Sequence, residues 1–247
     1  MARILYKMDA SPPARTAMMV ADLIGLELEL RDLHPLLREQ DQPEYFKKNP
    51  MRTIPILEDG DFCLADSHAI AIYFLEKYGK KEHEYLYPKD ERKRATINQR
   101  LFFDCGILFP RLRDVMAPTY TGRMTELLRY NKLMIDDAYK TLEAYLSETL
   151  YLADHEMTVA DICAVTTVST LDGLHPVDEK RFPKVKQWLQ TMSQKDVCKR
   201  INEDGYKMQV FNLKATMEIN KEKQVDGAHN NRCPLAFISL GDYKDPV

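Results

Sequence analysis

Along the first 80 residues the apolar positions change period several times. Arg3–Tyr6 is a short apolar run, Pro12 to Ile24 repeats its apolar residues at intervals of three and four, and Glu27–Asp32 alternates. This order predicts strand, helix, strand. After the polar stretch Arg38–Lys48 come an extended run Thr53–Leu57, a turn at Glu58-Asp59-Gly60-Asp61, a second short run Phe62–Leu64 and a helical pattern from Ser67 to Tyr78. From Tyr87-Pro88 onward no strand pattern recurs. Helical periodicity predicts Glu91 to Met116, Met124 to Leu150, Val159 to Leu171, Phe182 to Met192, Val197 to Asn202 and Tyr206 to Ile219.

The element order describes a fold of class α/β plus all-α: an N-terminal thioredoxin-like domain over residues 1–80, then an all-helical domain over 88–220. The polar run Gly79–Glu84 is the expected linker, and 221–247 reads as a polar C-terminal extension with one apolar patch at Leu235–Leu240. Thr158-Val159-Ala160-Asp161 is a capping box opening an apolar helix, a structural signal.

Composition narrows the functional classes. Lys and Arg number 35 against 38 Asp and Glu, a net charge of −3, which gives no basic surface for nucleic acid or anionic lipid. The longest apolar runs fall far short of the ~20 residues of a membrane span, and the N-terminus carries no secretory signal, so a cytoplasmic protein is expected. Five cysteines (Cys63, Cys105, Cys163, Cys198, Cys233) are scattered without a C-x-x-C pair, which argues against a disulfide framework, a zinc site and a dithiol redox centre. A serine hydrolase is disfavoured because G-x-S-x-G does not occur.

Three short stretches carry candidate chemistry. Ser11 precedes Pro12-Pro13, residues suited to the first turn of a helix, and is either a plain N-cap or a hydroxyl aimed at an anion near the positive end of the helix dipole. Ile54-Pro55 starts an extended run, a place where a cis proline leaves backbone edges free for a peptide. Asp66-Ser67-His68 places an acid and a hydroxyl at another helix start, suited to an α-amino-acid zwitterion: Asp66 for the ammonium, Ser67 for the carboxylate.

In order, S-P-P-x-R, N-P-x-x-T-I-P, D-S-H-A-I, Y-P-K-D, N-Q-R-L-F-F-D and M-T-V-A-D-I occur here, and through them residues 3 to 215 resemble the cytosolic glutathione transferases, most closely the insect delta and epsilon classes. The resemblance implies glutathione as co-substrate, no metal, a homodimer, and a detoxifying transfer of the glutathione thiolate to hydrophobic electrophiles or to a peroxide oxygen. It casts Ser11 as the hydroxyl that favours the thiolate, Ile54 and Pro55 as the hold on the cysteinyl part, and Asp66, Ser67 and His68 as the grip on the γ-glutamyl end, histidine replacing the usual arginine. Thr53 belongs to the same motif. Arg52 and Gln40 stand where histidines commonly meet the glycyl end. Pro13, Leu36, Phe109, Leu112, Arg113, Met116, Tyr120 and Phe211 are the implied electrophile-binding residues, and Asp104 matches an interdomain acidic position. Two alternatives stay open: a weakly catalytic carrier of hydrophobic ligands on the same fold, and a steroid-handling transferase. Against the latter, the acidic residue of that branch appears here as Leu112, with Asp114 close by.

Overall fold

The computed structural model describes residues 2–225; the expectation for the C-terminal extension, including Leu235–Leu240, lies outside them. Four strands, β1 (Arg3–Lys7), β2 (Glu29–Asp32), β3 (Ile56–Asp59) and β4 (Phe62–Ala65), form one sheet in the order β2-β1-β3-β4. β1 runs parallel to β2 and antiparallel to β3, which pairs antiparallel with β4. The β1–β2 pair needs a crossover, and α1 (Pro12–Leu23) supplies it. The β3–β4 hairpin turns at Gly60, whose φ of 69° suits a residue without Cβ. With α2 (Pro43–Lys48) and α3 (Ser67–Tyr78) this is the thioredoxin-like half.

Among the described residues six α-helices follow: α4 (Glu91–Phe103), α5 (Phe109–Tyr120), α6 (Arg129–Glu148), α7 (Val159–Leu174), α8 (Pro183–Ser193) and α9 (Glu203–Val225). α7 is the centre of this half, buried along almost its whole length: its sequence, VADICAVTTVSTLDGL, is made mostly of small or apolar residues, and its buried Asp161, Thr166, Ser169 and Thr170 are hydrogen-bonded. One continuous core joins it to α1 and α3, so residues such as Ala17, Phe74, Val168 and Leu171 share a single apolar cluster across the two halves. No helix among the described residues is long and apolar enough to cross a membrane.

The sequence reading and the fold differ in four places. The extended run at Thr53 begins as a strand only at Ile56, because Asn49 folds 49–53 into a turn: its Nδ2 donates to Thr53 O (2.8 Å) and Thr53 Oγ1 (3.0 Å), and Met51 N donates to its Oδ1. The helix expected over Glu91–Met116 continues to Tyr120 but is interrupted at Asp104–Leu108 by a π turn, an inserted residue that apolar periodicity does not register. The helix expected from Met124 starts at Arg129, since the backbone at Arg123 and Met124 folds back onto Pro118 O. Val197–Asn202 and Tyr206–Ile219 are one run, in which a π turn, Cys198–Asn202, passes directly into α9.

Thr158 and Asp161 form the expected capping box: Ala160 N donates to Thr158 Oγ1 and Thr158 N to Asp161 Oδ2. The same buried carboxylate accepts from Leu152 N and Trp188 Nε1, so it ties a loop and α8 to the start of α7.

Candidate functional site

The sheet register brings the three candidate stretches to one end of the sheet. Tyr6 pairs with Ile56, and Ile56 with Ala65, so these residues form a row across β1, β3 and β4. Just beyond that row lie Ser11 after β1, Ile54-Pro55 before β3, and Asp66-Ser67 after β4. Among the described residues the non-glycine positions with positive φ are Arg38, Arg52 and Asp66, and all three lie on loops at this end, where the chain accepts unfavourable backbone to aim side chains.

Ser11 is the N-cap of α1: its Oγ accepts from Ala14 N at 3.4 Å, and Pro12 and Pro13 fill the next positions. It is 7% exposed, a nearly buried hydroxyl beside the positive end of a twelve-residue helix. Lys7 braces the approach to it, with Nζ 2.7 Å from Asp9 and 2.8 Å from Asp32. Burial pushes the Lys7 pKa down, but those two carboxylates more than offset it and leave it raised.

The Ile54–Pro55 peptide is cis, as the motif implied. Ile54 packs its side chain with Tyr6, Leu33 and Ile56 in a small apolar cluster, which fixes the loop against β1.

Asp66 caps α3 by accepting from His68 N (2.9 Å) and Ala69 N (3.1 Å), both on Oδ1. Ser67 is buried at the first helical position. His68 turns away toward the helical half and donates from Nε2 to Asp104 Oδ2 at 2.8 Å, while its Nδ1 lies 3.5 Å from Asp66 Oδ1. Burial alone would depress the His68 pKa. The hydrogen bond to Asp104 and the nearby charges of Asp104 and Asp66 outweigh that and lift it to about 10, so the ring is an imidazolium at neutral pH. His68 therefore serves first as an interdomain link, and Asp104 is its partner.

Of the residues the resemblance assigns to the glycyl end, Gln40 is buried and donates from Nε2 to Pro35 O (3.3 Å), leaving Oε1 without a hydrogen bond. Arg52 is partly exposed, its Nη1 4.0 Å from Asp41 Oδ1. Thr53 is held by Asn49, as described for the turn.

The residues that the resemblance assigns to an electrophile are distributed unevenly. Pro13, Leu36, Phe109 and Met116 are half-buried, Arg113 is exposed, and Phe211 is 70% exposed on α9. Leu112 is completely buried in the core, where its side chain packs with other apolar residues and presents no surface. Tyr120 is also buried, its hydroxyl accepting from Gln209 Nε2, and burial raises its pKa to about 12. Two cavities, of about 670 Å³ at the interdomain linker and about 420 Å³ between α7, α8 and α9, involve none of these residues.

One residue that sequence reasoning passed over is Arg15. It is completely buried, and its guanidinium donates to Asn202 Oδ1, Asp9 O, Ala10 O, Thr166 O and Thr170 Oγ1 at 2.7 to 3.2 Å. It thereby clamps the carbonyls just before Ser11 onto α7 and the π turn ahead of α9. Gly205 permits this close approach, since a Cβ there would stand 2.4 Å from Asp9 O. Burial pulls the Arg15 pKa down to about 9, still well above neutral, so a full positive charge lies beneath the serine loop. The signal available in the sequence was its place in S-P-P-x-R, on the face of α1 that its apolar neighbours bury.

A family model described as the glutathione S-transferase N-terminal domain matches residues 5–82, and one described as the glutathione S-transferase C-terminal domain matches 126–196. The chain is 42% identical over 207 residues to "Glutathione S-transferase 1" of Manduca sexta, covering 83% of this chain and 94% of that protein. It is 37% identical over 212 residues to "Glutathione S-transferase D7" of Anopheles gambiae, with coverage of 83% and 94%. An epsilon-class glutathione S-transferase structure from the housefly, Musca domestica, superposes with a TM-score of 0.83 at 34% identity, covering 87% of this chain and 98% of that one. A glutathione transferase homologue from Drosophila mojavensis with bound glutathione gives a TM-score of 0.83 at 35% identity, with coverage of 87% and 97%.

Proposed function

This chain belongs to the glutathione S-transferase family and is an enzyme of that activity, and on that premise we propose that Ser11 holds the glutathione sulfur as a thiolate for attack on hydrophobic electrophiles. The observation that carries the reading is the register: it opens the Ser11, Ile54 and Asp66 loops from one end of the sheet. A free thiol with a pKa near ~8.5 is mostly protonated at neutral pH. A hydroxyl donor, the end of the α1 dipole and the Arg15 charge all favour the anion.

In this reading the backbone at Ile54, beside Pro55, holds the cysteinyl part. The free oxygen of Asp66 meets the γ-glutamyl ammonium, and the Ser67 hydroxyl and amide meet its carboxylate. His68 acts through Asp66 and Asp104 and leaves the ligand to its neighbours. Arg52, only loosely paired with Asp41, takes the glycyl carboxylate, and Gln40 contributes through whatever its bond to Pro35 O leaves free. Pro13, Leu36, Phe109, Arg113 and Met116 border the electrophile, and Phe211 on α9 is assigned to the same role. In the reaction the thiolate forms a carbon–sulfur bond and the leaving group departs with its electron pair; attack on a peroxide oxygen is the side activity. Exposed Phe102 on α4 and Tyr130 and Leu133 on α6 support a homodimer. A cytoplasmic, detoxifying role rests on the family alone.

The test is conjugation of glutathione with chlorodinitrobenzene. The parent is expected to turn over, and Ser11→Ala to lose about tenfold or more in kcat/KM, since one hydrogen bond to a charged group contributes about 1.5–3 kcal/mol. An Ser11→Ala enzyme as fast as the parent refutes the assignment. Glutathione binding without measurable turnover in the parent favours the ligand-carrying alternative.

A further inference from the structure

Where α3 begins beside the π turn that follows α4, three donor groups of unlike chemistry converge. The carboxylate of Asp66, an imidazole nitrogen of His68 and the thiol of Cys105 have ligand atoms all within 4.8 Å of one another. We propose that these three residues form a binding site for a borderline-soft divalent cation, with zinc as the representative ion, and that the cation and glutathione exclude each other. The exclusion rests on the reading of Asp66 given above; the binding does not.

The orientation of His68 is the first support. Its Nε2 is fixed on Asp104 Oδ2 at 2.8 Å, and its Nδ1 is buried and makes no hydrogen bond. A carboxylate bonded to one ring nitrogen while the other is left for an ion is the usual arrangement of a metal-ligating histidine. Asp66 is the second support. Both backbone amides that it caps donate to Oδ1, so its other oxygen is uncommitted, and its side chain is 42% exposed. Cys105 is a free, exposed thiol, placed beside His68 by the π turn that also points Asp104 inward.

Distances and donor placement agree with that assignment. A tetrahedral ion bound at about 2.0–2.3 Å draws its donors to roughly 3.3–3.6 Å apart. Closing from 4.8 Å or less needs a shift of about 1 Å, within the freedom of the exposed Cys105 and half-exposed Asp66. Asp66 lies on the Nδ1 side of the ring, where the ion would sit, and Asp104 holds Nε2 on the far side, so the carboxylates supply one ligand and one orienting partner. Thiolate with imidazole and a single carboxylate selects zinc, cobalt or cadmium over magnesium and calcium, which prefer all-oxygen sites. Binding releases the thiol proton of Cys105 and the Nδ1 proton of His68 to solvent, and a fourth position stays open to water. The sequence offers no such signal, because the ligands are separated by 1 and 36 residues with no repeated spacing.

The test uses the full chain, freed of metal with a chelator and then titrated with cobalt(II), followed by zinc displacement. Expected are one high-affinity ion per chain, a thiolate-to-cobalt charge-transfer band in the near ultraviolet, and loss of the band with at least about a tenfold loss of affinity in Cys105→Ser. Cys63→Ser is expected to keep both. S-methylglutathione, whose blocked sulfur is a poor metal ligand, is expected to displace the ion, and Cys105→Ser to conjugate at the parent rate with chelator present. No uptake at micromolar cobalt or zinc, or an unchanged band in Cys105→Ser, overturns the site. Simultaneous binding of ion and S-methylglutathione overturns the exclusion. Absence of S-methylglutathione binding in the metal-free protein instead tells against the proposed function and leaves metal uptake to be judged by the cobalt band.

Discussion

Arg15, completely buried, and His68, largely buried, are both cations at the seam between the sheet and the helices, yet their surroundings are opposite. Arg15 hydrogen-bonds no carboxylate; five bonds, three of them to backbone carbonyls, spread its charge over neutral acceptors from three parts of the chain. His68 has a carboxylate on either side, but its Nδ1 and Asp104 Oδ1 are buried without a hydrogen bond. Full satisfaction makes Arg15 a fixed joint under the serine loop. The unspent atoms around His68 leave that joint able to respond to a proton or a ligand. Interdomain charges thus serve two ends in one molecule, and the count of unfilled bonds separates them.

The largest expected effect comes from removing the filled joint. Arg15→Ala removes the donor to Asn202 Oδ1 and to the Asp9 and Ala10 carbonyls and leaves a cavity where the guanidinium lay, and is expected to lower stability by about 3–5 kcal/mol in urea unfolding. Arg15→Lys restores the charge without the five-donor fork and is expected to recover only part of that. A loss below about 1 kcal/mol erases the contrast, since it would fall in the range of ordinary surface changes. Asp104→Asn is expected to cost less, about 1–3 kcal/mol, because His68 keeps Asp66 nearby.

A pH series sharpens the same contrast. His68 binds its proton more tightly in the folded protein, with a pKa near about 10, than in the unfolded chain, where it is ~6.5. Proton binding therefore favours folding. The contribution is complete below about pH 6.5 and is lost as pH rises through 10. Stability of the parent is expected to decline across that window in chemical unfolding at successive pH values. In Asp104→Asn the decline is expected to be shallower and to begin at lower pH. Identical pH profiles for the two proteins contradict the assigned ion pair.

What the sequence disclosed follows the range of the forces involved. Ser11 before two prolines, and Thr158 three residues before Asp161, are caps made by neighbours in the chain, and both are where local chemistry puts them. The order of elements was legible because apolar period reports burial of one face. The π turns were not, since an inserted residue at Asp104–Leu108 leaves the apolar count unchanged while rotating Asp104 toward His68. Arg15 was missed because a charge is read as a surface residue unless its acceptors are known, and Thr166, Thr170 and Asn202 stand 151 or more residues away. The burial of Leu112 was hidden for a related reason: periodicity marks an inward face without saying whether a cavity lies behind it.

Ionisation of bound glutathione tests the thiolate assignment most directly. Thiolate absorbance of the glutathione complex, followed against pH in the parent and in Ser11→Ala, is expected to titrate well below the ~8.5 of a free thiol in the parent and to move back toward it in the variant. Titration of the two complexes at the same pH, or at the free-thiol value in both, contradicts a role for Ser11 in holding the anion.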